Sequence, residues 1–90
     1  MTVREEILDQ AKQLVTEDRN ADYGDPAENF ADIASLWTAY KGTVFLAHDV
    51  AAMMVLVKVA RLATSPQKLD NWMDMVGYAA LGGEVRPPEE

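Results

Sequence analysis

Apolar residues recur at intervals of three and four along most of the chain, the spacing typical of helices that bury one face. The first such stripe begins directly after Thr2, whose spacing from Glu5 predicts a helix N-terminus with a capping box. Its members are Val3, Ile7, Ala11, Leu14 and Val15. We expect this helix to fade near Glu17 and to be followed by a polar loop over residues 18–24.

A second helix is predicted to start at Asp25, a capping residue followed by Pro26 at the first helical position. Gly42 ends it. Its apolar stripe consists of Phe30, Ile33, Ala34, Trp37 and Tyr40. Only the brief segment 43–46 alternates as a strand would, so the pattern predicts no sheet.

Two further helices complete the pattern. The third opens near His48 or Asp49 and runs to about Ala63; the fourth starts with a Ser65–Pro66 cap and stops at Gly82–Gly83. The apolar stripe of the fourth helix comprises Leu69, Trp72, Met73, Val76 and Ala80. The chain is therefore predicted to be all-α, a four-helix antiparallel bundle-like subunit with one domain over 1–84 and a frayed tail over 85–90.

The third helix is apolar on nearly every side yet carries Lys58 and Arg61 three residues apart. A helix without a polar face is expected to be surrounded by protein, and an unpaired charge there is costly. Something anionic should therefore meet both cations. Asp70 and Asp74 of the next helix are candidates for a structural ion pair, and a phosphate-bearing ligand is the other candidate.

Composition narrows the function classes. Ninety residues with 49% hydrophobic content form a short globular chain, so we expect oligomerisation to cover its remaining apolar surface. A net charge of −7 argues against binding a nucleic-acid polymer. The chain has no cysteine, no membrane-spanning apolar run and no signal peptide, and we expect a cytoplasmic protein with no membrane partner.

Two acidic pairs are the candidate metal ligands: Glu28 with Asp32 on the second helix, and Asp70 with Asp74 on the fourth. Residues four apart are neighbours on a helix surface. Mg²⁺ favours a few carboxylates together with substrate phosphates, and the two cations of the third helix would neutralise phosphate charge. This set of residues suits phosphoanhydride hydrolysis.

Structural alternatives exist for the same residues. Asp25 and Glu28 have the spacing of a reciprocal capping box, and periodicity favours a solvated face for Glu28, Asp32 and Ser35. Gly77, in the middle of a helix, indicates the close approach of another backbone or a ligand.

Several motifs, taken together and in order, resemble a known family. They are Asp22-Tyr23-Gly24-Asp25-Pro26-x-Glu28-Asn29-Phe30, Met53-Met54 with Lys58-x-x-Arg61, and Asp70-x-x-x-Asp74-x-x-Gly77-Tyr78. The set is similar to small phage-borne proteins related to the MazG-like all-α nucleoside triphosphate pyrophosphohydrolases. The resemblance covers about residues 18 to 84.

The resemblance implies a homo-dimer or tetramer that cleaves (d)NTP to (d)NMP and pyrophosphate with Mg²⁺, or Mn²⁺ in its place. If the protein is encoded by a phage, it would act as a hydrolase in the cytoplasm of the host cell. The implied catalytic residues are Glu28, Asp70 and Asp74, and the implied metal ligands are Glu28, Asp32, Asp70 and Asp74. The implied substrate contacts are Lys58 and Arg61 at the phosphates, Tyr23 and Asn29 near the base or sugar, and Asn71 and Tyr78 on the Asp74 stripe.

This chain departs from the better-known enzymes in one respect: both acidic pairs are four residues apart instead of three, and the later pair is Asp–Asp. Two alternatives to the enzyme therefore stay open. One is a nucleotide-binding module without catalysis, and the other is a helical protein-interaction factor of phage origin.

Overall fold

The structure, a computed structural model, describes residues 1–18 and 24–89, with only the backbone at 17 and 18. These residues form four α-helices and no strand. The helices are α1 (Val3–Gln13), α2 (Pro26–Lys41), α3 (Ala47–Leu62) and α4 (Leu69–Glu84), and a π-helical turn (Leu14–Asp18) extends α1. The predicted all-α class with four helices is confirmed.

The first two helices begin as their caps predict. The Thr2 hydroxyl accepts from the Glu5 N–H at 3.2 Å, and the Glu5 carboxylate accepts from the Thr2 N–H at 2.9 Å. Asp25 accepts from the Ala27 N–H at 3.4 Å. Gly42 ends α2 in the left-handed conformation, with φ of 74°, which glycine adopts without steric cost.

The connection from α2 to α3 is fixed by one side chain instead of by strand pairing. The Phe45 N–H donates to the Thr38 hydroxyl at 2.8 Å. The next helix then starts at Ala47, where Asp49 accepts from the Leu46 N–H at 2.8 Å. The strand-like alternation of residues 43–46 thus belongs to an anchored connection.

Both ends of α4 differ from the prediction. Ser65 and Pro66 lie in the preceding turn, where the Pro66 carbonyl accepts from the Trp72 indole at 2.9 Å, and the helix starts at Leu69. Gly82 does not stop the helix, which continues to Glu84. A Cβ added at Gly82 would lie 3.1 Å from the Cβ of Ala51 on α3. Gly82 therefore serves close helix packing, not termination.

The core lies where α2, α3 and α4 meet. Its buried members are Phe30, Ala34, Val50, Ala51 and Leu81. The π-helical turn joins it through Val15, whose methyl group would lie 3.2 Å from a Cβ at Gly77. The close approach at Gly77 is thus made by the Val15 side chain, whereas the sequence predicted another backbone or a ligand there.

The most buried side of α4 is not its predicted apolar stripe. Asn71, Gly77 and Leu81 are buried, whereas Trp72 of the predicted stripe is 43% exposed. Two glycines thus lie on the inner side of α4, Gly77 against Val15 of the π-helical turn and Gly82 against Ala51 of α3. No helix in the described ranges is long and apolar enough to span a bilayer.

Candidate functional site

The centre of the candidate site is an ion pair between α3 and α4. The Lys58 ammonium lies 2.8 Å from an Asp74 carboxylate oxygen, and the two side chains are 12% and 32% exposed. A charged hydrogen bond at this length is short and partly shielded from water. The prediction that an acid of α4 meets Lys58 is confirmed.

Helix packing places the two partners opposite each other. The antiparallel helices α3 and α4 touch at Gly82 and Ala51, where a missing side chain permits close approach. Lys58 lies seven residues after Ala51, and Asp74 lies eight residues before Gly82. Both steps are about two helical turns, so the backbone contact and the ion pair follow from one register.

Arg61 and Asp70 lie beyond this pair, each close to the connection between the two helices. Both are exposed, and neither makes an ion pair with any residue whose position the structure gives. The expectation that an anion meets both cations of α3 is therefore confirmed for Lys58. For Arg61, no acid among the described residues meets it, and the phosphate-bearing ligand stays a prediction. Arg61 is near the end of α3, where a long side chain reaches water.

Asn71 adds a buried polar group one turn from Asp74. It is 5% exposed, and its side-chain amide has no hydrogen-bond partner among the side chains of residues 1–16 and 24–89 or the backbone of the described ranges. A buried amide without a partner costs roughly 1–3 kcal/mol. The amide thus provides donor and acceptor atoms beside the ion pair.

The aromatic and amide candidates are placed differently from one another. Tyr78 is half-buried, with its ring stacked 6.3 Å from the ring of Phe30. Asn29 is half-buried on α2. Tyr23 lies outside the described residues.

The acids of α2 lie on its exposed side. Glu28, Asp32 and Ser35 are all exposed, as the solvated-face alternative predicts. Asp25 caps α2, and no bond from Glu28 back to Asp25 occurs among the described residues, so the reciprocal capping box is not formed.

No three Asp, Glu or His side chains cluster closely enough to hold a metal ion in the part of the chain that the structure describes. A single chain therefore does not gather the predicted ligands Glu28, Asp32, Asp70 and Asp74 around one point. Asp70 and Asp74 share one side of α4, one turn apart. The metal site stays a prediction.

A cavity of about 350 Å³ lies at the opposite end of α4. It is open, and its lining includes Val15, Pro26, Leu81 and Glu84. None of the predicted site residues that the structure describes lines it. The ion pair and the cavity are thus separate features.

Comparison of the sequence with known proteins identifies its family. Residues 6–86 match the family described as a domain of unknown function (DUF6378). The chain is 41% identical over 85 residues to the Gene 55 protein of Mycobacterium phage L5, covering 93% of this chain and 54% of that protein. It is 43% identical over 75 residues to the Gene 55 protein of Mycobacterium phage D29, covering 83% and 50%.

The chain spans about half the length of the curated relatives it matches. No solved structure matches it. Both relatives come from phages, which agrees with the predicted relationship to phage-borne proteins. The match over nearly the whole chain shows that it belongs to the DUF6378 family.

Proposed function

We propose that the protein is a MazG-like nucleoside triphosphate pyrophosphohydrolase, a homo-oligomer that cleaves (d)NTP to (d)NMP and pyrophosphate with Mg²⁺. The observation that carries the proposal is the Lys58–Asp74 pair, with Arg61, Asp70 and Asn71 around it. Cations, carboxylates and an amide together match the chemistry of a metal–polyphosphate ligand. The net charge of −7 disfavours binding of a nucleic-acid polymer. A small anionic ligand can still bind when a bound cation offsets its charge.

The residues of α4 fit a sparsely coordinated Mg²⁺. This ion is usually bound through one or two carboxylates plus substrate phosphates, and keeps several waters. Asp70 and Asp74 supply two carboxylates one turn apart, and their oxygen ligands suit a hard cation. When bound, the ion would polarise the phosphoryl group. In the same proposal, Glu28 and Asp32 would reach the site from a second subunit; both are exposed on α2 and so are accessible to a partner.

The remaining contacts with the nucleotide would be made by side chains of the protein. Arg61, exposed at the end of α3, would bind phosphate oxygens, since a guanidinium binds them in a bidentate manner. Lys58 is already held by Asp74, so it would share its charge between carboxylate and phosphate. Asn71 would donate from its buried amide, and Asn29 and Tyr23 would lie near the base or sugar.

The test is pyrophosphate release from a panel of dNTPs and NTPs with Mg²⁺ or Mn²⁺. We expect turnover of at least one nucleotide and a loss of tenfold or more in Asp70→Asn, an exposed position where the charge change leaves the fold intact. Asp9→Asn, an exposed acid of α1, is the matched control and should keep full activity.

A folded protein that releases no pyrophosphate from any nucleotide would contradict the enzyme. If nucleotides still raise its melting temperature, the protein is a binding module, because a ligand bound only to the folded state stabilises it. One observation favours this second candidate: no three acids cluster within the described ranges of a single chain. If no nucleotide shifts the melting temperature either, a helical interaction factor is the remaining function.

A further inference from the structure

The outer side of α3 is apolar along three turns. Met53, Leu56, Val57 and Val59 are 37%, 63%, 40% and 46% exposed, and the alanines that flank them at 52, 60 and 63 are exposed as well. We name this surface the α3 outer face: Ala52, Met53, Leu56, Val57, Val59, Ala60 and Ala63. A helix on a protein surface normally carries polar residues on that side. The face therefore differs from scattered exposed apolar residues, which need no explanation.

The core of a single subunit is small, and it leaves the apolar residues of the α3 outer face uncovered. Among described residues the buried core consists of six apolar side chains besides Pro26, and three of the six are alanines. Small domains usually compensate for a limited core by association. More apolar surface is thus available on α3 than the chain covers by itself.

We propose that the α3 outer face binds the same face of a second copy, with the two α3 helices antiparallel and Leu56 near the two-fold axis. This specifies the interface of the homo-oligomer named above, but it rests on exposed apolar surface and not on nucleotide binding. A two-fold interface pairs one surface patch with itself.

The arrangement of small residues suits this pairing. With Leu56 at the axis, Ala52 of one copy lies opposite position 60 of the other, which is also alanine. Alanine pairs on both sides of a leucine let the two backbones approach while the leucines fill the centre. Leu56 is also the most exposed residue of the face whose exposure is given.

Charge also selects an antiparallel second copy. Two chains of net charge −7 repel, and the face from Ala52 to Ala60 turns no acid outward. Asp49 lies at the start of α3 and Arg61 near its end. An antiparallel pair brings the acid of each copy towards the exposed Arg61 end of the other, whereas a parallel pair would place like charges together.

The first test is the mass in solution of the full chain and two variants by sedimentation. The wild type should sediment at about twice the 10.0 kDa chain mass, and Leu56→Glu should be monomeric with an unchanged helical circular dichroism spectrum. Leu8→Glu is the matched control, because Leu8 on α1 is 58% exposed. It should keep the wild-type mass.

The second test fixes the orientation and exploits the absence of cysteine from the chain. An oxidised mixture of Ala52→Cys and Ala60→Cys should give the mixed disulfide in excess over either self-linked product. Preferential self-linkage of Ala52→Cys would overturn the antiparallel arrangement.

A Leu56→Glu variant that keeps the wild-type mass would show that another surface mediates association. A monomeric wild type at ~100 μM would overturn both the face and the homo-oligomer. Because Glu28 and Asp32 are proposed to reach the site from a second subunit, a monomeric wild type would also remove them from it. Nucleotide turnover is measured separately: a dimer that releases no pyrophosphate would contradict the proposed enzyme and leave the interface intact.

Discussion

Lys58 shows how one charged residue constrains the packing of two helices. Its side chain is only 12% exposed, so its ammonium needs a fixed anionic partner, and Asp74 supplies it at 2.8 Å. Removing one partner of such a pair leaves a poorly hydrated charge behind. The pair thus selects the register in which α3 and α4 pack.

A double-mutant cycle tests this coupling. We expect Asp74→Asn to lower the free energy of unfolding by roughly 1–3 kcal/mol, because Lys58 loses its anionic partner. In Lys58→Met/Asp74→Asn the loss should be smaller than the sum of the two single losses. Urea denaturation measures all four proteins. Strictly additive losses would mean that the two side chains do not interact.

Glu5 gives a prediction about pH. Hydrogen bonds from the Thr2 backbone N–H and then from its hydroxyl lower the pKa of Glu5 below its ordinary value of 4.5. A lowered pKa means that the ionised Glu5 carboxylate stabilises the folded state. This stabilisation is present above pH 4.5 and is lost as the pH falls through the folded-state pKa. In an NMR titration, Thr2→Ala should raise the pKa of Glu5 part of the way back. An equal pKa in both proteins would contradict the capping box.

At the scale of the helix, two adjacent glycines have different roles. A Cβ at Gly83 would meet nothing within 4 Å, whereas a Cβ at Gly82 would press on Ala51. Alanine is favoured over glycine inside a helix by about 1 kcal/mol. The same substitution should therefore give opposite outcomes at neighbouring positions.

We expect Gly83→Ala to raise the free energy of unfolding by about 0.5–1 kcal/mol. Gly82→Ala should be less stable than Gly83→Ala by at least about 1 kcal/mol, since the Ala51 methyl group moves only with its backbone. Thermal unfolding of the two variants provides the comparison. Equal stabilities would show that α3 and α4 are not in close contact at Gly82.

The two glycines also show which helix ends the sequence could predict and which it could not. Caps are local, so Thr2, Asp25 and Gly42 predicted the ends of α1 and α2 correctly. Gly82 has the same sequence signal as a helix stop, and only the position of α3 reveals its packing role. The buried side of α4 was misassigned for a similar reason, because close approach of Val15 at Gly77 depends on where the π-helical turn packs.

The candidate site, like the helix ends, was predicted only in part. A cation inside an apolar helix implies an acidic partner, and that inference found the Lys58–Asp74 pair. Periodicity favoured a solvated face for Glu28 and Asp32, and both are exposed on α2. It could not tell that Arg61 reaches solvent, because that placement depends on how whole helices are oriented around the core.

At the scale of the molecule, association should appear in stability as well as in mass. If the α3 outer face is an interface, the melting temperature of the wild type should rise with protein concentration, because dimerisation stabilises the folded state by mass action. In Leu56→Glu, the melting temperature should not depend on concentration. A concentration-independent wild type would contradict the interface.

The central claim is that the connection-side ends of α3 and α4 bind a metal–polyphosphate ligand. The most direct measurement is calorimetric titration of the full chain with Mg²⁺ and each dNTP, comparing Arg61→Gln with Arg4→Gln, an exposed arginine on α1. We predict saturable binding of at least one nucleotide, weakened tenfold or more by Arg61→Gln and unchanged by Arg4→Gln. No binding of any nucleotide, or equal affinities in the two variants, would contradict it.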